Sequence, residues 1–315
     1  MMYVGVDLGG TGIKVGLVNE KGEITYKASC PTRANEDYTV IAKDMAELIN
    51  KVLTDTNTKL EDVKSIGIGS PGSIDDKNGV ILYANNLNLH NAPFADELKK
   101  HFNVPVYISN DANCAALGEF FALDDESVTD LVAITLGTGV GGGIIINKKI
   151  FSGVNGVGAE LGHTVICVNG EDCSCGRKGC WEAYASATAL IRDTEKAAKE
   201  YPDSLVAKMV KENGGKGSGK TSFDAKRAGD DVGKMLVDNY VQYVAEGIVN
   251  IINSLRPHAV VIGGGISKEG DNLLIPVKEY VDKNVYGIKE THITKLSIAK
   301  LGNDAGIVGA AFLGK

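Results

Sequence analysis

Residues 4–11 read Val4-Gly5-Val6-Asp7-Leu8-Gly9-Gly10-Thr11, and residues 132–139 read Val132-Ala133-Ile134-Thr135-Leu136-Gly137-Thr138-Gly139. Each is a short apolar run broken by glycines. Each then continues into an alternating stretch and a lysine-containing turn, Asn19-Glu20-Lys21 in the first copy and Asn147-Lys148-Lys149 in the second. The offset is the same at both ends, 132 − 4 = 128 and 147 − 19 = 128. One repeat at so long a period excludes a solenoid and implies a duplicated domain, with a glycine-rich strand turn in each copy. Such turns let backbone N–H groups approach phosphate oxygens, and Thr11 adds a hydroxyl. A bare hairpin would carry the same letters, but the second copy favours phosphate. Two such turns facing one cleft would suit one polyphosphate, and Asp7 at a strand end can hold Mg²⁺ through water.

The rest of the chain alternates strands with helices, which implies an α/β fold. Helical spacing of Ile41, Met45, Leu48, Ile49, Val52 and Leu53 predicts a helix over 37–56, and further helices are expected at 94–102, after Asp111, and at 181–201, 224–255 and 304–313. Strands are expected at 63–69, 104–109 and 259–262, the last running into Gly263-Gly264-Gly265. Whether the C-terminal tail packs back on the first domain is left open by the sequence.

At 315 residues the chain is long enough for two domains, and 43% hydrophobic with 23% charged residues excludes a disordered chain or a multi-span membrane protein. A net charge of −7 has the wrong sign for a broad nucleic-acid surface. No leader pattern and no apolar run of membrane-spanning length appear, so a cytoplasmic protein with no membrane partner is expected. In that setting three cysteines within eight positions, Cys173 to Cys180, point to metal instead of disulfides.

With His163, the thiols Cys173, Cys175 and Cys180 make a Cys₃His set, the composition of a closed structural zinc site. Four protein ligands leave no place for water, so the zinc would shape a loop. Glu160 and Glu182 flank the set and read either as acceptors for sugar hydroxyls or as solvated charge. Ser109-Asn110-Asp111 ends one strand and starts a helix. Asp111 reads as a general base at a strand's carboxyl end, or one of the pair reads as an N-cap, and residue types do not separate the two. Residues 214–221, GGKGSGKT, fit a P-loop letter for letter. What precedes them has helical spacing where a P-loop needs a strand, so they are expected to be a flexible linker.

Taken together, DLGGTGIK (7–14), GIGSPG (67–72), SNDANCAALGE (109–119), LGTGVGGG (136–143), GAELGH (158–163), CSCGRKGCWE (173–182), VIGGGIS (261–267) and GNDAGIVGAA (302–311) resemble the ROK family of sugar kinases and repressors. The resemblance implies the actin-like, ribonuclease H-like two-domain fold with sugar and ATP in the cleft. The domains would be 1–116 plus 302–315, and 117–301 carrying the zinc loop. It also implies Asp111 as the base, with Asn86, Asn110, Glu160, His163 and Glu182 on the sugar hydroxyls. Gly9, Gly10, Thr11, Gly137, Thr138 and Gly139 would lie on the ATP phosphates, Gly264 and Gly265 near adenosine, with Mg²⁺ required and a homodimer usual. Two departures stand out: Gly12 where members often have Lys or Asn, and Leu89 where an aromatic residue is usual.

The activity so implied is ATP-dependent phosphorylation of the 6-hydroxyl of glucose. The alternatives are another hexose, N-acetylmannosamine, or a non-catalytic sugar-responsive protein, although repressors of the family carry a helix-turn-helix ahead of the first phosphate strand, which here begins at Tyr3.

Overall fold

A computed structural model describes residues 1–154, 156–287 and 294–315. The first half runs β1 (Met2–Leu8), β2 (Gly12–Asn19), β3 (Ile24–Pro31), α1 (Tyr38–Asp55), β4 (Val63–Ser70), β5 (Ser73–Asp75), β6 (Val80–Ala84), β7 (Leu89–Ala92), α2 (Phe94–Lys99), β8 (Val106–Asn110) and α3 (Asp111–Ala122). The second runs β9 (Leu131–Leu136), β10 (Val140–Ile146), β11 (Lys149–Ile150), α4 (Glu182–Ala185), α5 (Ala187–Glu200), α6 (Leu205–Glu212), α7 (Thr221–Arg227), α8 (Asp231–Leu255), β12 (Ala259–Gly263), α9 (Asp271–Asn284), β13 (Lys295–Ile298) and α10 (Ala305–Ala311).

Two five-stranded sheets have the orders β3-β2-β1-β4-β8 and β11-β10-β9-β12-β13. Counted within each copy, both read third-second-first-fourth-fifth. The sequence repeat is therefore a repeat of topology. A small third sheet, β5-β6-β7, follows β4 and has no counterpart in the second sequence copy.

The chain forms two compact units. The first comprises Met1–Leu131, Gly143–Ala159 and Lys300–Lys315, the second Val132–Gly142 and Glu160–Ala299. The expected domains, 1–116 plus 302–315 and 117–301, divide the chain at other positions. A cut at 116 would divide α3, and Gly143 lies so close to that helix that a Cβ there would come within 2.7 Å of the Ala112 carbonyl.

In the first unit, α1 starts where the Asp37 side chain accepts the Thr39 N–H at 2.9 Å, and it buries Ile41, Met45, Ile49 and Val52 against the sheet core. The tail docks on the same sheet. A Cβ on Gly5 or Gly67 would fall 1.9 and 1.7 Å from the carbonyl oxygens of Ile307 and Ala310 in α10, so β1 and β4 need glycine for the helix to seat.

In the second unit, Trp181 is fully buried and donates its indole N–H to the Tyr243 carbonyl of α8 at 2.7 Å. Two expected long helices are broken. The one over 181–201 divides at Ser186, which is extended and whose Oγ accepts the Ala189 N–H to start α5. The one over 224–255 divides at Gly229-Asp230, where Asp230 caps α8 through the Gly233 N–H at 2.9 Å. Residues 214–221 join α6 to α7, with no strand before them, as expected of a linker. That linker is held by Gly217 N–H to Glu195 at 2.9 Å and by Ser218 on Thr221, so the expectation of a loose chain is corrected. Among the described residues no helix is long and apolar enough to cross a membrane.

Candidate functional site

The first sheet gathers one group of candidate residues. β1, β4 and β8 run parallel in register, with Asp7 beside Gly69, Gly69 beside Ser109, and Ser70 beside Asn110. Asp7 and Asp111 consequently emerge at one carboxyl edge, where parallel α/β sheets collect ligands. The hairpin of β1 and β2 closes on Leu8–Ile13, leaving Gly9 to Thr11 at its tip with the Gly9 N–H on the Gly12 carbonyl at 3.0 Å. Thr32 braces the tip by donating to the Gly9 carbonyl at 2.7 Å. The exposed Asn86 packs on Gly10, whose Cβ position lies 3.0 Å from the Asn86 carbonyl oxygen.

Asn110 is the N-cap of α3. Its side-chain oxygen accepts the Ala112 and Asn113 N–H groups at 2.9 and 3.3 Å, and its amide nitrogen donates to the Gly72 carbonyl at 3.1 Å. The capping reading thus falls on Asn110, while the Asp111 carboxylate accepts the Ala112 N–H at 2.9 Å. Asp111 is exposed to solvent, although enough protein packs around it to desolvate its carboxylate. Burial lifts its pKa above the ordinary value and the negative charge of Asp7 adds to the lift, against a pull from the Ala112 N–H. A carboxylate shifted toward neutrality in this way is a better proton acceptor once ionised.

The second unit carries a further group of candidate residues. Its glycine turn has the Gly137 N–H on the Gly139 carbonyl at 3.0 Å. The start of α5 braces it: Ala187 N–H donates to the Gly137 carbonyl at 2.8 Å and Thr188 to the Thr138 carbonyl at 2.7 Å. Gly264, at φ +87°, brings the end of β12 against Leu136, with its Cβ position 2.5 Å from the Leu136 backbone; only glycine permits both. Gly265 follows, exposed.

Glu182 accepts the Val140 N–H at 2.9 Å through one oxygen and Ser174 Oγ at 3.2 Å through the other. It ties the glycine turn to the cysteine loop, so its carboxylate has internal partners besides any ligand. Glu160 is exposed at the start of the 3₁₀ turn Leu161–His163. A pocket of about 420 Å³ opens here, lined by Thr138, Gly139, Ser174, Glu182, Thr188 and Arg192.

His163, Cys173, Cys175 and Cys180 offer ligand atoms that all lie within 4.8 Å of one another. His163 presents Nδ1, 3.6 Å from Cys173 Sγ, and Cys175 Sγ is 3.6 Å from Cys180 Sγ. Tetrahedral Zn–S bonds of about 2.3 Å put sulfurs about 3.8 Å apart, so the set fits zinc. Burial, with the neighbouring thiols, pushes the Cys180 pKa up to about 12, and ionising it calls for an adjacent cation.

A family model described as the ROK family matches residues 3–315. The chain belongs to the ROK family. It is 39% identical to a glucokinase of Halalkalibacterium halodurans over 99% of this chain and 94% of that one, and 39% identical to a glucokinase of Thermotoga maritima over 99% and 96%. The solved ROK family glucokinase of Streptomyces griseus, in complex with glucose and AMPPNP, superposes with a TM-score of 0.78 at 33% identity, over 99% of each chain. The ROK fold expected from the motifs, actin-like and ribonuclease H-like, is the fold observed.

Reading the sequence overlooked Lys14, whose ammonium pairs with Asp7 at 2.8 Å. The signal was available: a hairpin closing at Leu8–Ile13 makes positions 7 and 14 cross-strand partners. Thr188 and Gly72, which brace the second turn and Asn110, carried no such signal because their partners are distant in sequence.

Proposed function

We propose that this ROK protein transfers the γ-phosphoryl group of ATP to the 6-hydroxyl of glucose. The observation that carries the reading is Asp111, a carboxylate with a raised pKa, on the same sheet edge as Asp7 and the first glycine turn. Asp111 accepts the hydroxyl proton as the sugar oxygen bonds to phosphorus and the bond to the bridging oxygen of ADP breaks. Asn86, Asn110, Glu160, Glu182 and the Nε2 edge of His163 orient the remaining hydroxyls. The turns at 9–11 and 137–139 hold phosphates, and Gly264-Gly265 lie toward adenosine. Asp7 would hold Mg²⁺ through water, and the bound ion would neutralise phosphate charge. His163, Cys173, Cys175 and Cys180 would hold a zinc that fixes the loop positioning Glu182. Glucose is favoured over other sugars by the 39% identity to two glucokinases and by the glucose complex of the Streptomyces griseus relative. A homodimer belongs to the same reading, and sedimentation velocity checks it.

The test is ADP release from Mg-ATP against glucose, mannose, fructose, N-acetylglucosamine and N-acetylmannosamine. Glucose should lead in kcat/KM. Another sugar in front would transfer the assignment to it, and silence on all five with sugar binding intact would make the protein a sensor.

A further inference from the structure

A second pocket, of about 510 Å³, lies wholly within the first unit, and no role assigned above uses it. Its rim carries four lysines, Lys77, Lys148, Lys149 and Lys315, against one lining carboxylate, Asp76, in a chain whose net charge is −7. Lys77, Lys148 and Lys149 are exposed and make no ion pair among the described residues. Asp76 is engaged by Ser152 Oγ at 3.3 Å. The floor is apolar and aromatic: Leu117 and Phe121 come from α3, and Tyr107 of β8 leaves 40% of its surface in solvent. Lys315 bridges floor and rim. Its ammonium stands 4.2 Å from the Phe312 ring centre and 5.0 Å from that of Phe121, and burial lowers its pKa.

Lysines act on phosphate as unpaired point charges, aromatic faces stack planar rings, and the volume is in the range of small-molecule sites. We propose that this pocket binds a nucleotide-like anion, with a planar ring on Tyr107 and Phe121 and phosphate among Lys77, Lys148 and Lys149. β8 and α3 form its floor, and the same two elements carry Asn110 and Asp111 at their junction.

The probe is N-methylanthraniloyl-AMP, titrated by fluorescence into the full chain with glucose present, and the binding component that depends on the pocket lysines is read apart from the site of the proposed reaction. Saturable binding is expected, weakened about ten-fold or more by K148E/K149E and by removal of the phosphate from the probe. Glucose-dependent ADP release by K148E/K149E, measured without probe, should match wild type and so report an intact fold. K77E, from a different loop, should weaken the probe independently. No saturable binding, binding indifferent to all three lysines, or equal binding of N-methylanthraniloyl-adenosine would each overturn the site. A failure of the proposed kinase reaction would show instead as absent ADP release in wild type, with the lysine dependence of probe binding unaffected.

Discussion

The two glycine turns descend from one repeated pattern, yet they are held by different means. The first is braced from within its own sheet: Thr32 of the segment after β3 donates to the Gly9 carbonyl, and Lys14 across the hairpin pairs with Asp7. The second is braced from outside its sheet, by the first turn of α5 and by Glu182, which also reaches the cysteine loop through Ser174. A duplicated backbone thus supplies two glycine turns, while the residues around each decide what it depends on. The first turn is a local hairpin; the second is tied to the cysteine loop more than thirty positions away in sequence.

That contrast breaks most visibly on metal removal. Chelation, or Cys180→Ser, should lower Tm and abolish turnover, because the loop that aims Glu182 at Val140 loses its cross-link. Elemental analysis should find about one zinc per chain beforehand. A metal-free protein with full activity would sink both the zinc site and the dependence of the second turn on it.

Next in size comes Glu182→Ala, which leaves the Val140 N–H without its acceptor and should cost about 1–3 kcal/mol, read as a fall in Tm. Glu182→Gln keeps an acceptor there and should recover most of the stability while still impairing sugar binding. Gly139→Ala tests the same contact from the other side. Its Cβ would come 2.2 Å from Glu182 Oε2, whereas Gly137→Ala meets nothing within 4 Å. The first should lower Tm by the equivalent of roughly 1–3 kcal/mol, the cost of forced repacking, and the second should leave Tm unchanged. Equal effects would mean that Glu182 does not set the shape of the turn.

The smallest effect is expected for Lys14→Met. The pair is half exposed, so its loss should change stability by under about 1 kcal/mol, against the larger cost of Glu182→Ala.

Much of this was legible in the sequence because the signals were local. The offset of 128 anticipated two sheets of like order, and the spacing of His163 and the three cysteines anticipated a cluster that the fold brings within 4.8 Å. What stayed hidden depended on distant partners. Apolar spacing runs through Ser186 and through Gly229-Asp230, so two pairs of helices read as two single ones until their caps were visible. Asn110 and Asp111 were interchangeable as letters, and only the donor and acceptor geometry gave the cap to Asn110. Glu182 looked like a free carboxylate, since nothing in the sequence places Val140 against it.

The account rests on Asp111 as the base, and its raised pKa makes two linked claims. The carboxylate must be ionised to accept a proton, so kcat/KM should rise with pH through a value above that of an ordinary aspartate. The same shift means that ionised Asp111 weakens the fold: its favourable contribution is present at low pH and is lost as pH climbs through the folded pKa. The most direct test is Asp111→Asn, compared with wild type for glucose-dependent ADP release, calorimetric glucose binding and Tm at neutral pH. The predicted result is turnover reduced by about 10²–10⁴-fold, glucose still bound, and Tm no lower than wild type. Turnover within a few-fold of wild type would contradict the account.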